Sequence, residues 1–280
     1  NIRGKAMNGQ PELTIIMPVY NMEKYIAKAL DQLAKQEDPN FKLLIVNDGS
    51  KDKTVEVAEQ YRDKFRYFRI LNKKNGGLSD ARNVGMANVD TPYFTFHDGD
   101  DWVEPGYTAY FVRAFHDHPN VAMVSCGYFI DSPHRHNKVV GSPNDGVLSK
   151  LRTYGKMTNI FNSPVKGYTW NKGYKTAVVR KYHMTFVEGL AFMEDQIFNV
   201  HYIANTNGFY YNAVPLYHYW QREDSMVHHF NLKMVPDNVK ANWYVWKTIF
   251  ASLIEQRKEH KQDHTNQNLI SEGNNNERKG

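Results

Sequence analysis

With 280 residues the chain can bury a large core, as one large domain or two modest ones. Its 41% hydrophobic and 23% charged content is ordinary for a soluble globular protein, and its longest apolar-rich run, Val121 to Ile130, is too short to span a bilayer. The net charge of +5 is uneven: between Tyr61 and Lys74, Arg62, Lys64, Arg66, Arg69, Lys73 and Lys74 face one acid, Asp63.

That basic segment suits either an anionic lipid surface or polyanionic acceptor, or an edge strand protected by charge. A nucleic-acid partner is not expected, because no helix-turn-helix, zinc finger or aromatic single-strand platform is recognisable. No N-terminal stretch combines a basic start, an apolar middle and a small-residue cleavage site, so export is not expected. The single Cys126 cannot form an intrachain disulfide and reads as a small buried hydrophobe in a reducing cytoplasm.

In chain order, Leu13 to Tyr20 reads as a buried strand whose end is marked by Pro18. Ile26, Leu30 and Leu33 follow at helical spacing. A strand over Lys42 to Val46 ends in Asn47-Asp48-Gly49-Ser50, and a helix over Thr54 to Tyr61 leads to a strand over Phe65 to Leu71. Asn75-Gly76-Gly77 precedes a helix from Leu78 to Val89, and Tyr93 to Phe96 forms the next strand. This alternation predicts an α/β fold with a mainly parallel sheet and ligands at the strands' carboxyl ends. Beyond Glu104 a helix is expected over Pro105 to His118 and a strand over Val121 to Ile130. Residues 131 to 165 read as a loop region, Trp170 to Tyr174 as extended, Met193 to Ile203 as an amphipathic helix and Phe209 to Trp220 as a strand. A last helix is expected from Pro236 to Ile254, then a polar tail. The expected division is into two halves, 1–104 and 105–230, with 231–280 as the helix and tail.

The most informative stretch is His97-Asp98-Gly99-Asp100-Asp101, which closes an aromatic strand with three carboxylates in four positions. Their repulsion calls for a cation or strong donors, and hard oxygen ligands suit Mg²⁺ or Mn²⁺ holding a substrate's phosphates. Alone, the stretch would be a solvated acidic turn. Asp48 is placed to accept a hydrogen bond from a ribose or base edge, or to make an Asx-turn. Backbone N–H groups at Asn75-Gly76-Gly77 suit a polar or anionic ligand, Asp80 complements the helix dipole, and Arg82 could reach a nucleotide or an acidic neighbour. Of Glu194 and Asp195, one can enter the cleft while the other braces it. Arg222 could clamp a diphosphate, and His218, His228 and His229 are candidate metal ligands set against structural histidines.

These elements, with Pro18-Val19-Tyr20-Asn21, Trp170-Asn171-Lys172 and Arg222-x-x-Ser225, come in the order seen in inverting family 2 glycosyltransferases of GT-A (Rossmann-like) fold, which the chain resembles over residues 13 to about 225. The second half is similar to wall teichoic acid glycosyltransferases. The resemblance implies that Pro18, Tyr20, Asp48, Asn75 and Arg82 line a uridine pocket, with Asp98 and Gly99 near the ribose. It further implies that Asp100 holds Mn²⁺ or Mg²⁺ under the diphosphate, Asp195 is the catalytic base supported by Glu194, and Arg222 and Ser225 touch diphosphate or acceptor. The partners it implies are a UDP-sugar and a glycan, lipid-linked or cell-wall polymer acceptor, for a cytoplasmic enzyme peripheral to the membrane. His97 and Gly99 depart from the usual pattern, as does Asn47 in place of a frequent Asp. A nucleotidyltransferase would instead want a Gly-rich basic loop after the first strand, and a nicotinamide dehydrogenase G-x-G-x-x-G. A sugar-nucleotide-binding module that has lost catalysis is the non-enzymatic alternative.

Overall fold

The computed structural model describes residues 9–141, 146–158, 167–190, 193–221 and 239–258. A ten-stranded sheet runs in the order β3-β2-β1-β4-β9-β6-β10-β5, with β7 (Arg135–Val140) paired to β6 and β8 (Gly146–Leu148) to β10. In that path β1 is Leu13–Val19, β2 Phe41–Asn47, β3 Tyr67–Asn72, β4 Tyr93–Phe96 and β5 Trp102–Val103; β6 is Met123–Ser132, β9 Lys172–Lys175 and β10 Phe209–Trp220.

The first four strands are parallel, as expected of strands joined by helices. All seven residues of β1 are buried, because helices cover both faces. Its alternate side chains divide between two cores: Leu13, Ile15 and Met17 meet Ile26, Leu30 and Leu33 of α1 (Ile26–Leu33), while Ile16 belongs with Ala81 and Met86 of α3 (Leu78–Ala87). Next in sequence after β2 comes α2 (Thr54–Glu59), whose Ala58 joins the α1 side of the core. In register, Val19 stands beside Asn47 and Asn47 beside Asn72, so the loops after β1, β2 and β3 emerge on one edge. The loop after β4 joins them, since β4 runs parallel to β1.

The second half is mixed. Strand β9 inserts antiparallel between β4 and β6, and β10 runs parallel to β6 with register shifts at Asn212, Pro215 and Tyr217. Helices α4 (Tyr107–Asp117), α5 (Lys150–Thr158), α6 (Thr176–Lys181) and α7 (Glu194–Ala204) surround it, with α8 over 239–258. The region expected to be loop, 131 to 165, instead holds β7, β8 and α5. Five of the six β7 side chains are exposed, so no apolar alternation marks the strand. The tail expected from Glu255 stays helical to residue 258.

Candidate active site

Asp48, the residue just after β2, is buried, and its carboxylate gathers the next loop. Its Oδ1 accepts from the Gly76 N–H at 2.9 Å and from Lys73 Nζ at 2.5 Å, and its Oδ2 from the Gly77 N–H at 2.8 Å. Asn75 Nδ2 donates to the Asp48 carbonyl at 2.9 Å. Gly49, at φ +74°, lets the chain turn beneath this loop; a Cβ there would sit 2.9 Å from the Asn75 nitrogen. Lys73 also pairs with Asp80 at 2.5 Å, and although burial works against its charge, both carboxylates together raise its pKa. The expected base or ribose contact of Asp48 is thus limited to what its bonds to the loop leave open. Pro18 is buried within β1 opposite Val46, and Tyr20 stands just beyond the strand, 41% exposed.

The basic segment spans β3, the edge strand, and the turns on either side of it. Arg62 pairs with Glu59 at 2.7 Å, Lys64 with Asp31 at 3.4 Å, and Lys73 with the two carboxylates above. Of the six basic residues only Arg69 lies on β3 itself, with Arg62, Lys64 and Arg66 before it and Lys73 and Lys74 after it.

The loop after β4 is bolted to β10. The Asp98 N–H donates to Tyr217 Oη at 3.1 Å, whose hydroxyl donates to Asp101 Oδ2 at 2.8 Å, and the Trp220 N–H donates to Asp101 Oδ1 at 2.7 Å. Both oxygens of Asp101 are therefore used in holding structure. Burial, then the charges of Asp100 and Asp98, push its pKa well up. Gly99 passes close to β1, where a Cβ would meet Val19 Cγ1 at 3.0 Å. Asp98 and Asp100 are half-buried. Burial raises Asp98 to about 6 against the pull of Arg82, with Asp100 and Asp195 adding to the rise.

Arg82 joins the two halves of the chain. From α3 its buried guanidinium reaches Glu194 Oε1 at 3.1 Å and Asp195 Oδ1 in a short ion pair, both at the start of α7, and Asp98 Oδ1 at 3.5 Å. Its plane lies near the rings of Phe186 and Phe96. Burial opposes the charge, but Asp195, Asp98 and Glu194 outweigh it and hold the group protonated. Of the two roles open to Arg82, the structure displays the acidic-neighbour one. Burial and the Asp195 charge raise Glu194 to about 7, against the attraction of Arg82. The other Asp195 oxygen, Oδ2, receives the Thr169 hydroxyl at 3.4 Å.

Lys172, whose sequence motif gave it no role of its own, is fully buried here. Its Nζ donates to the Tyr168 carbonyl at 2.5 Å and Asn171 Oδ1 at 2.8 Å, and burial pushes it down to about 7 against Asp195 and Cys126. Nearby, Trp170 stacks on Tyr217, Tyr168 and Tyr219, with ring centroids 4.4, 4.8 and 5.5 Å away. The signal for this wall lies in the paired aromatic spacing of 168 with 170, just before β9, and of 217 with 219 on β10, where alternate residues share a face.

Among the described residues no three His, Cys, Asp or Glu side chains converge into a metal cage. An ion carried by one or two carboxylates and completed by substrate phosphates needs no such cage, and the crowded charge of Asp98 and Asp100 fits that hard-oxygen chemistry. His218 is structural: Nδ1 lies 2.8 Å from Asp131 and Nε2 2.8 Å from Glu104, while its ring stacks on Phe129. Arg222, Ser225, His228 and His229 lie outside the described residues.

Residues 14–182 match the model described as Glycosyl transferase family 2. EpsH of Bacillus subtilis (strain 168), which bears a glycosyltransferase name, is 30% identical over 228 residues, 80% of this chain and 65% of that protein. The poly(ribitol-phosphate) beta-N-acetylglucosaminyltransferase TarS of Staphylococcus aureus (strain Mu50) is 29% identical over 203 residues, 70% of this chain and 33% of TarS. The crystal structure of S. aureus TarS 1-349 in complex with UDP-GlcNAc aligns at a TM-score of 0.69 and 24% identity, covering 87% of this chain and 66% of that one. The chain thus spans less than two thirds of the length of these relatives. The structural likeness establishes a GT-A fold. With most of its length inside the family match, the chain belongs to glycosyl transferase family 2.

Proposed function

We propose that the chain is an inverting glycosyltransferase that moves a sugar from a UDP-linked donor to a hydroxyl of a glycan, lipid-linked or cell-wall polymer acceptor. The observation that carries this reading is the meeting, at one buried guanidinium, of Asp98 from the donor edge and Glu194 and Asp195 from the second half. Relatives that act on wall polymers, and the TarS complexes with UDP-GlcNAc and UDP, support the donor and acceptor classes.

In this reading the uridine lies among Tyr20, Asp48 and Asn75, and the ribose lies by Asp98 and Gly99. Pro18 shapes the strand beneath them. Asp195 takes the proton of the acceptor hydroxyl, whose oxygen attacks the anomeric carbon from the face opposite the departing diphosphate. The new carbon–oxygen bond forms as the bond to the diphosphate breaks, and UDP leaves with the electron pair. A divalent ion on Asp100, Mg²⁺ or Mn²⁺, would neutralise charge on the leaving diphosphate. Arg82 holds Asp195 in place, and Glu194 shares that guanidinium. The half-buried rings of Tyr168 and Tyr219 offer a face to an acceptor sugar. Arg222 and Ser225 are assigned to diphosphate or acceptor by resemblance alone. A cytoplasmic location rests on the lone, buried Cys126.

A second reading exchanges the two carboxylates, because a Glu194 raised to about 7 is matched to general-base work near neutral pH. Side-by-side kinetics of Asp195→Asn and Glu194→Gln with UDP-GlcNAc separate them. Asp195→Asn is expected to keep UDP affinity while transfer falls roughly 10²- to 10⁴-fold, mostly in kcat. A larger loss in Glu194→Gln exchanges the roles. Full activity in both variants, or no UDP binding by the parent chain, overturns the proposal.

A further inference from the structure

Helix α8 buries one face and leaves another uncovered. Ala241, Val245, Ile249 and Ser252 face the core, with Tyr154 Oη 3.2 Å from Ser252 Oγ. On the far side Val239, Trp243, Trp246, Phe250 and Ile254 are 63%, 63%, 46%, 60% and 54% exposed. At 100° per residue these five form one stripe along the helix. Soluble surfaces seldom place two tryptophans, a phenylalanine and an isoleucine in a line on one helix.

The charges beside the stripe say what would cover it. Lys240, Lys247 and Lys258 fall along one flank at helical spacing, Arg257 continues the stripe, and Glu255 is the one acid in 239–258. All five of these charged residues are exposed. Lys247 Nζ lies 4.9 Å from the centre of the Trp243 ring, and Trp246 and Phe250 stand 6.0 Å apart. Aromatic residues at the level of lipid headgroups, with lysines rising beside them, are the pattern of a helix lying in an anionic bilayer surface. A second copy of the chain fits less well. The stripe offers on the order of 500 Å², short of the about 800 Å² per partner of a stable interface, and the lysine flank would repel its own copy. No helix among the described residues is long and apolar enough to cross a membrane, so contact would be peripheral.

We infer that α8 is an interfacial helix that seats this domain on an anionic lipid surface and sets the height of the catalytic carboxylates above it. The link to the site is direct. Asn242 Nδ2 lies 3.4 Å from Met193 Sδ, one residue before Glu194, and Tyr244 Oη hydrogen-bonds to His201 of α7. A docked α8 would therefore hold the start of α7 near the headgroups, where a lipid-linked acceptor hydroxyl would be presented. That consequence rests on the functional reading above; the docking does not. It also moves the membrane contact away from the basic edge strand, where Arg62, Lys64 and Lys73 already have acidic partners.

The test is vesicle co-sedimentation of the full 280-residue chain with phosphatidylglycerol-containing and with pure phosphatidylcholine vesicles. The parent chain is expected to favour the anionic vesicles, with a blue-shifted tryptophan emission. Trp246→Ser combined with Phe250→Ser should lower the partition coefficient by about tenfold or more, leaving melting temperature and UDP affinity unchanged. If that variant misfolds, Lys240→Glu with Lys247→Glu keeps the stripe and should abolish the anionic preference. Equal partition of parent and stripe variant overturns the inference. So does loss of binding in Arg66→Glu with Arg69→Glu alone, which would return the contact to β3. A dimer that the stripe variant dissolves, without vesicle binding, would assign the face to a second copy. UDP affinity read on the same samples separates failure of docking from failure of the functional reading.

Discussion

The two halves of the molecule build their parts of the site by different means. Between residues 13 and 104 the site follows from backbone topology: parallel strands end in register, and Asp48, Gly76, Gly77 and Asp98 sit where the strands stop. Beyond 104 it follows from side chains that satisfy buried polar groups. Tyr217 reaches Asp101, Lys172 the Tyr168 carbonyl, and Asn199 Nδ2 the Asp195 carbonyl at 2.9 Å. A topological site tolerates loss of one side chain, because neighbouring strands still place the loop. A site held by buried polar contacts does not, because each lost partner leaves a desolvated group behind.

Arg82 tests this contrast most severely. Arg82→Met leaves Glu194, Asp195 and Asp98 without their buried cation, and should destabilise the fold by about 3–5 kcal/mol in urea titration at neutral pH. On the donor edge, Lys73→Met also removes a cation that bridges two carboxylates. That ammonium keeps 15% side-chain exposure and Asp48 keeps its two backbone donors, so the expected cost is about 1 kcal/mol. Equal losses in the two variants would break the comparison.

The same contrast explains what could be read in advance. The first half was legible because strand and helix periods alternate, and all four unusual loops fall at carboxyl ends. The second half hid its elements for separate physical reasons. Strand β7 is exposed and so lacks apolar alternation, and α6, with six residues, ends before a helical apolar pattern can repeat. The approach of Arg82 to Asp195, 113 positions away, has no local signature. Its hint was an arginine beside Ala81 on the apolar face of α3, which burial obliges to find acids. Lys172 left the same trace next to Trp170.

A milder test falls on the donor loop. Asp48→Asn replaces two acceptor oxygens by one and turns an N–H₂ toward the Gly76 or Gly77 N–H. The loop should loosen by about 1–2 kcal/mol, seen as faster proteolysis at 73–77, and UDP affinity should weaken about tenfold in calorimetry. The strands themselves should hold, leaving the melting transition within a few degrees of the parent. A collapse of the whole fold would show that this half too depends on its buried polar contacts.

Glu194 gives the smallest effect and the finest one. Its folded-state pKa is about 7 against an ordinary 4.5, so between these values the native state binds a proton that the unfolded chain has released. The stability this contributes is fully present below pH 4.5 and lost as pH rises through 7. Catalysis should run the other way, because only the ionised carboxylate competes with Asp195 for Arg82 and so sets where Asp195 points. The stability of the ligand-free parent should therefore decline across this window, while kcat under saturating substrates rises. Glu194→Gln should flatten both slopes, lowering kcat by roughly threefold to tenfold at neutral pH and leaving UDP affinity alone. A packing role would shift melting temperature equally at every pH, whereas a titrating role moves it only on the alkaline side of pH 4.5. An unchanged pH–rate profile in Glu194→Gln would remove the residue from the machinery of transfer and leave Arg82 with Asp195 as the pair that matters.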